Sequence, residues 1–389
     1  MPTIRLPGAG GALTPYTLPL PKPWPATSTP RKFNRVAFAA AHVVADARAD
    51  VDPWLDEVLD WDATIAYRRH LWSHGFGVAE AMDTAQRGMG LGWPTALELV
   101  RRSADAARDV TGAVMFAGAG TDHLAPGDAK CVADVRAAYE MQCEAIERAG
   151  GRIILMASRA LAKVARGPDD YLDVYARVLS QVKAPVILHW LGAMFDPALE
   201  GYWGHDDLDA ATGVCLHVIR GSVAKVDGIK VSLLDDAREI AMRRELPAGV
   251  RMYTGDDFNF AALIGGNAEG HSDALLGIFD AIAPAASAAL SALAGGDRAT
   301  FDAILAPTVP LSRHLFKAPT RFYKTGVVFL AWLNGHQSHF TMLGGQQSAR
   351  SIVHLAEALR LAGDANLLHD PDLAASRMRA LLAVHGIDG

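Results

Sequence analysis

The sequence predicts a closed parallel (β/α)8 barrel followed by a C-terminal helical extension. Short apolar runs recur between residues 35 and 271, and helical periodicity fills the gaps between them. No Gly-rich phosphate loop follows the first run, which argues against an open doubly wound sheet. From about Leu275 the pattern becomes purely helical and rich in Ala.

Residues 1–33 hold many Pro and Gly, as in Pro19-Leu20-Pro21-Lys22-Pro23-Trp24-Pro25, and predict an extended arm over the surface or a neighbouring subunit. The barrel is assigned to 34–274. Its strands are expected at 35–44, 77–82, 113–117, 152–156, 185–190, 226–232, 250–254 and 268–271. Helices are expected at 61–74, 93–109, 129–149, 169–182, 207–222, 235–245 and 257–264, several opening on an aspartate that can cap free amides. The extension, 275–389, reads as helices at 275–294, 298–315, 323–334, 347–361 and 371–385. Its Ala and Leu content suits packing against a second subunit, so a homo-oligomer, dimer or tetramer, is expected; a cap on the chain's own barrel is the alternative.

The 389 residues include 37 basic and 43 acidic side chains, a net charge of −6 that gives no footprint for nucleic acid or anionic membrane. Cys131, Cys143 and Cys215 are far apart and fit no zinc spacing, as expected in a reducing compartment. No apolar run is long enough to span a bilayer, and no secretory leader is evident; a cytoplasmic protein is expected.

The chemistry centres on Val226-Asp227-Gly228-Ile229-Lys230-Val231-Ser232, a strand pattern with one lysine among apolar neighbours. An ammonium there loses hydration, so its pKa falls toward that of a nucleophilic amine. Such an amine attacks a carbonyl and then withdraws electrons as an imine. The competing reading is a strand-end lysine that snorkels to solvent.

This strand, followed by Tyr253-Thr254-Gly255-Asp256-Asp257, resembles the Schiff-base strand and Gly-Asp-Asp turn of the dihydrodipicolinate synthase / N-acetylneuraminate lyase superfamily of class I aldolases. Leu315-Phe316-Lys317-Ala318-Pro319 and Tyr323-Lys324-Thr325-Gly326 are similar to the segment opening that family's last helices. The resemblance spans about residues 35–335 and looks like an uncharacterised branch. It implies Lys230 as the imine-forming residue and a small keto acid or sugar-derived carbonyl compound as substrate. The expected activity is aldol cleavage, condensation or dehydration, with neither metal nor organic cofactor.

Two departures bear on the pocket. Where that family has a Gly-Thr-Thr-Gly-Glu loop for the carboxylate of pyruvate, this chain has Glu80-Ala81-Met82-Asp83-Thr84-Ala85-Gln86-Arg87-Gly88. Thr84 matches one threonine, whereas Glu80 and Asp83 add negative charge that Arg87 would offset. Where the family has an acid/base tyrosine, Val186-Ile187-Leu188-His189-Trp190 places His189, which can shuttle protons near neutrality or simply pack against a carbonyl. An insertion over 195–207 would reshape the rim.

Thr84, Asp83 and Glu80 are thus expected to orient substrate oxygens. Ser158 after the fourth strand, Asp256 at the rim and His271 near the eighth strand are further contacts, while Asp257 is expected to cap the next helix, with Gly255 supplying the tight turn. Glu80, Asp83, His123, His189 and His271 leave open a metal-dependent sugar isomerase or epimerase, and a non-catalytic sugar-binding barrel is a third possibility.

Overall fold

The computed structural model describes residues 1–25 and 33–389. Strands β1 (Thr3–Pro7) and β2 (Leu13–Thr17) form an antiparallel pair. β3 (Ala37–Ala40), β4 (Gly77–Glu80), β5 (Met115–Ala119), β6 (Arg152–Leu155), β7 (Val186–Leu191), β8 (Val226–Ser232), β9 (Arg251–Thr254) and β10 (Asp273–Leu276) close into a parallel barrel, β10 pairing with both β9 and β3.

Helices α1 (Trp61–Ser73), α2 (Trp93–Arg108), α3 (Val132–Arg148), α4 (Arg159–Val164), α5 (Pro168–Gln181), α6 (Leu208–Gly221), α7 (Asp236–Glu245) and α8 (Phe260–Gly265) lie between the strands in sequence. The extension contributes α9 (Ile278–Ala281), α10 (Ala283–Ala294), α11 (Arg298–Leu305), α12 (Thr308–Leu315), α13 (Tyr323–Leu333), α14 (Ile352–Asp364) and α15 (Pro371–Val384). The (β/α)8 barrel with helical extension is therefore the observed fold.

Local chemistry explains the helix starts. Asp60, Asp207 and Asp235 accept from the amides of Ala63, Ala210 and Arg238 at 2.9, 2.8 and 3.0 Å, closing amides that the first turn leaves open. Pro168 opens α5, where no backbone N–H is needed.

Two apolar clusters divide the barrel wall. Phe38, Ala40, Ala79, Met82, Phe116, Ile154, Ile187, Tyr253 and Leu275 fill the interior, while a larger cluster lies between strands and helices. Side chains alternate along a strand, so these interior residues fix which way their neighbours point.

The eighth strand is Asp273–Leu276, not 268–271, and the helix expected from 275 begins only at Ile278. Ala274-Leu275-Leu276 continues into an Ala-rich helix, and so reads as its first turn. The helix expected over 298–315 is two, with Pro307 as the cap of the second.

The arm is not simply extended. Its first part is the β1–β2 hairpin, laid on the chain's own C-terminal helices. Ile4, Leu6 and Leu18 are buried, Tyr16 Oη donates to the Arg360 carbonyl at 3.1 Å, and Arg379 donates to the Thr3 carbonyl at 2.7 Å. Pro15 is tolerated because a two-stranded ribbon has free edges. The rest of the predicted arm, 26–32, lies outside the described residues.

α13 is buried along its whole length and packs against the short turn that follows β4. The extension thus caps its own barrel.

Candidate active site

Lys230 lies in register with His189 on β7 and Tyr253 on β9. Tyr253 belongs to the interior cluster and Ile187 lies two residues before His189, so both Lys230 and His189 point into the barrel, toward its C-terminal end. Lys230 is 7% exposed, and among the described residues its Nζ has no oxygen at hydrogen-bond or ion-pair distance. Burial pushes its pKa down, against the opposing charges of Asp83 and Asp257.

Gly255 provides the room for this side chain. A Cβ there would stand 2.8 Å from Lys230 Cε and would collide with Ser232 Oγ. Its backbone does not enter the left-handed region, so close approach, not the turn expected from the sequence, requires glycine here.

The neighbours of the amine are titratable groups. His189 Nε2 is 3.3 Å from Ser232 Oγ, and burial together with the Lys230 charge holds its pKa well below the usual value, so the ring is neutral. Asp257 Oδ1 accepts from the Ile278 amide at 2.9 Å. Burial raises Asp257 to about 7, against that hydrogen bond and Lys230, placing its titration where an acid/base group is most useful.

The loop after β4 forms the opposite wall. Asp83 opens a single 3-10 turn, Asp83–Ala85, and Thr84 Oγ1 lies 2.7 Å from Tyr323 Oη on α13. Arg87 is consumed by its surroundings: it pairs with Asp122 and donates to the Gly118 carbonyl at 3.0 Å and to Gln142 Oε1 at 3.1 Å. It therefore does not offset Asp83 as the sequence implied. A cleft enclosing about 630 Å³, including its open part, is walled by Asp83, Arg87, Asp122, Arg159, His189 and Asp196. Lys230 is not on this wall; His189, its neighbour in register, joins the two.

Of the predicted contacts, Lys230, His189, Asp83 and Thr84 come together at the mouth; the others do not. Ala79 faces the interior, so Glu80 faces the helices, where both its oxygens bind Arg68 (2.9 and 2.8 Å) and Oε2 accepts from Ser103 Oγ at 2.6 Å. Asp256 Oδ1 accepts from the amides of Phe258 and Asn259 at 2.8 and 3.0 Å and pins the turn, while Asp257, the expected cap, approaches Lys230. The two adjacent acids thus exchange the roles the sequence assigned them.

Ser158 caps α4, accepting from the Leu161 amide at 2.9 Å. It reaches the cleft only through Thr121, 2.6 Å from its Oγ. Tyr202, in the 195–207 insertion, accepts from the Ser158 amide at 3.0 Å, so the insertion braces this turn. His271 is exposed and precedes β10, at the end of the barrel opposite the mouth, because the eighth strand lies later than expected. With Glu80 and His271 elsewhere, the five residues considered for a metal do not converge, and no other such cluster of three exists among the described residues.

Sequence reasoning missed Lys324. It is 2% exposed, in the first turn of α13, with Nζ 3.3 Å from Met89 Sδ. Burial pushes it down to about 8, with Asp83 the largest opposing charge. The signal was present: a lysine within Tyr323–Leu333, a helix apolar on every side, has no exposed face to occupy.

The profile of the family described as "Protein of unknown function (DUF993)" matches residues 4–387. No curated protein matches the sequence. Among solved structures, a putative dihydrodipicolinate synthetase from Pseudomonas aeruginosa is similar at 16% identity and TM-score 0.62, covering 84% of this chain and 99% of that one. YagE, an E. coli prophage protein of the dihydrodipicolinic acid synthase family in complex with pyruvate, is similar at 15% identity and TM-score 0.66, over 86% and 99%. The chloride-inhibited dihydrodipicolinate synthase from Acinetobacter baumannii, complexed with pyruvate, is similar at 14% identity and TM-score 0.63, again over 86% and 99%. At these identities the likeness is one of fold.

Proposed function

The chain belongs to the family described as "Protein of unknown function (DUF993)", and for it we propose an imine-forming class I lyase acting on a small keto acid. One observation carries the proposal: a dry amine, Lys230, stands beside a neutral histidine at the mouth of a closed barrel, with no oxygen partner of its own among the described residues. An unpaired buried ammonium is costly and has no structural use, whereas the neutral amine is a nucleophile.

In the proposed reaction Lys230 Nζ adds to the substrate carbonyl. The carbonyl oxygen leaves as water after taking up protons, and a protonated imine remains. Electrons from the adjacent bond flow into that imine, so the bond breaks; the reverse flow makes it. Asp257 supplies and recovers protons because its pKa lies near neutrality, and His189, bonded to Ser232, is the second proton carrier. Arg68 and Glu80 stay outside this chemistry.

Borohydride reduction in the presence of pyruvate tests the proposal. Pyruvate is the first choice because two structures of similar fold are described as its complexes. The expected result is a covalent adduct mapped by mass spectrometry to Lys230 and lost in Lys230→Ala. An enzyme that binds carbonyl compounds without any trapped adduct, or an adduct on another lysine, overturns it.

A further inference from the structure

We propose that Lys324 is the anion-binding group of this site and holds the carboxylate of the substrate whose carbonyl Lys230 attacks; this rests on the imine reading above. α13 offers Lys324 no route to water, since all of Tyr323–Leu333 is buried. The only polar atom at hydrogen-bond distance from its Nζ, among the described residues, is the Met89 thioether at 3.3 Å, and the Tyr323 ring centre lies 5.4 Å away. A thioether is a weak acceptor and does not replace the hydration of an ammonium. A ligand oxygen in its place would.

Charge bookkeeping identifies the ligand. On the cleft wall Arg87 pairs with Asp122, and Arg159 pairs with Asp196, so these four cancel. Asp83 remains, with no cation at ion-pair distance among the described residues, and it acts on both Lys230 and Lys324. Asp257 keeps its proton below about 7. With Lys230 neutral, as its attack on a carbonyl requires, Lys324, charged below about 8, and Asp83 offset each other in this count until the imine forms. The protonated imine then adds one positive charge at Lys230, and a single substrate carboxylate balances it. A phosphate dianion would overshoot it, which favours a keto acid over a sugar phosphate.

The position agrees with the charge. Tyr323, beside Lys324, bonds to Thr84, which adjoins Asp83 on the cleft wall. Met89 belongs to the same loop, and its flexible side chain can yield to a ligand oxygen.

The test compares borohydride trapping by pyruvate, which is anionic, with trapping by hydroxyacetone, which is not. In Lys324→Met, the pyruvate concentration for half-maximal trapping at Lys230 is expected to rise by about 10- to 100-fold, the usual weight of a charge-assisted hydrogen bond. Hydroxyacetone should change by no more than about twofold, because it presents no charge to lose. Lys324→Arg should recover most of the pyruvate response, and thermal melts of both variants establish that they fold. Equal weakening for both compounds overturns the assignment in favour of a structural lysine, and no weakening for either leaves Lys324 without this role. Wild-type protein that traps neither compound overturns the imine reading itself, and this inference with it.

Discussion

Two groups of buried charges lie on opposite sides of one barrel wall, and they are built differently. Behind β4, Arg68 uses four of its five N–H donors: two on Glu80 and one each on the carbonyls of His42 and Thr64. Glu80 is equally closed, adding Ser103 and the Ala81 amide. At the mouth, among the described residues, Lys230 and Lys324 have no oxygen acceptor and Asp83 has no cation at ion-pair distance. Both places are dry, so solvation does not distinguish them. A charge whose hydrogen-bonding capacity is filled by the protein holds the fold together; one left open is available to a ligand.

The sharpest way to break this comparison is to remove one member of each group. Lys230→Ala is expected to lower turnover by on the order of a thousandfold or more while leaving the melting temperature unchanged or higher, because it deletes an unpaired buried amine. Glu80→Ala is expected to do the reverse. It strands Arg68 in the interior and costs about 3–5 kcal/mol of stability, yet each molecule that remains folded should trap pyruvate normally. Urea unfolding and adduct stoichiometry on the same samples decide it. A Lys230 variant that unfolds, or a folded Glu80 variant that cannot be trapped, would erase the division.

Gly255→Ala gives an intermediate effect on both scales. Its new methyl group would meet Lys230 Cε at 2.8 Å and would press on Ser232 Oγ, with the Val231 carbonyl 2.7 Å away. Overpacking of this kind costs about 1–3 kcal/mol, and here it also displaces the Lys230 amine. Trapping should slow more than stability falls. Equal losses would mean that the glycine serves only the backbone.

The open side of the wall was more legible in the sequence than the closed side. Val226–Ser232 has the observed bounds because its apolar residues flank a lone lysine within a strand-length run. His189 followed from its place at the end of an apolar run. Glu80 was misread because Gly77–Glu80 gives no alternation to follow: three of its four residues are fully buried, from both faces. Its partner Arg68 is twelve residues earlier, on a different element, and sequence carries no trace of that pairing. Asp256 and Asp257 are adjacent acids, and only the turn geometry decides which one caps and which one meets Lys230.

The finest test uses a third buried acid, which is closed in yet another way. Glu239 on α7 accepts from Ser272 Oγ at 2.7 Å through Oε1, and Thr254 adds a weaker polar contact to its carboxyl. Burial, the leading cause, raises its pKa from 4.5 to about 8, so in the fold it keeps its proton in place of a counter-ion. Between these values the unfolded chain releases that proton and the folded chain does not. The contribution to stability is therefore full below 4.5 and lost as pH rises through about 8. Glu239→Gln, neutral and of similar shape, should show a flatter decline than wild type when urea unfolding is compared at about pH 5 and about pH 8. Parallel declines would mean that Glu239 is ionised in the fold, and that a buried carboxylate can stand here with neither a cation nor a proton.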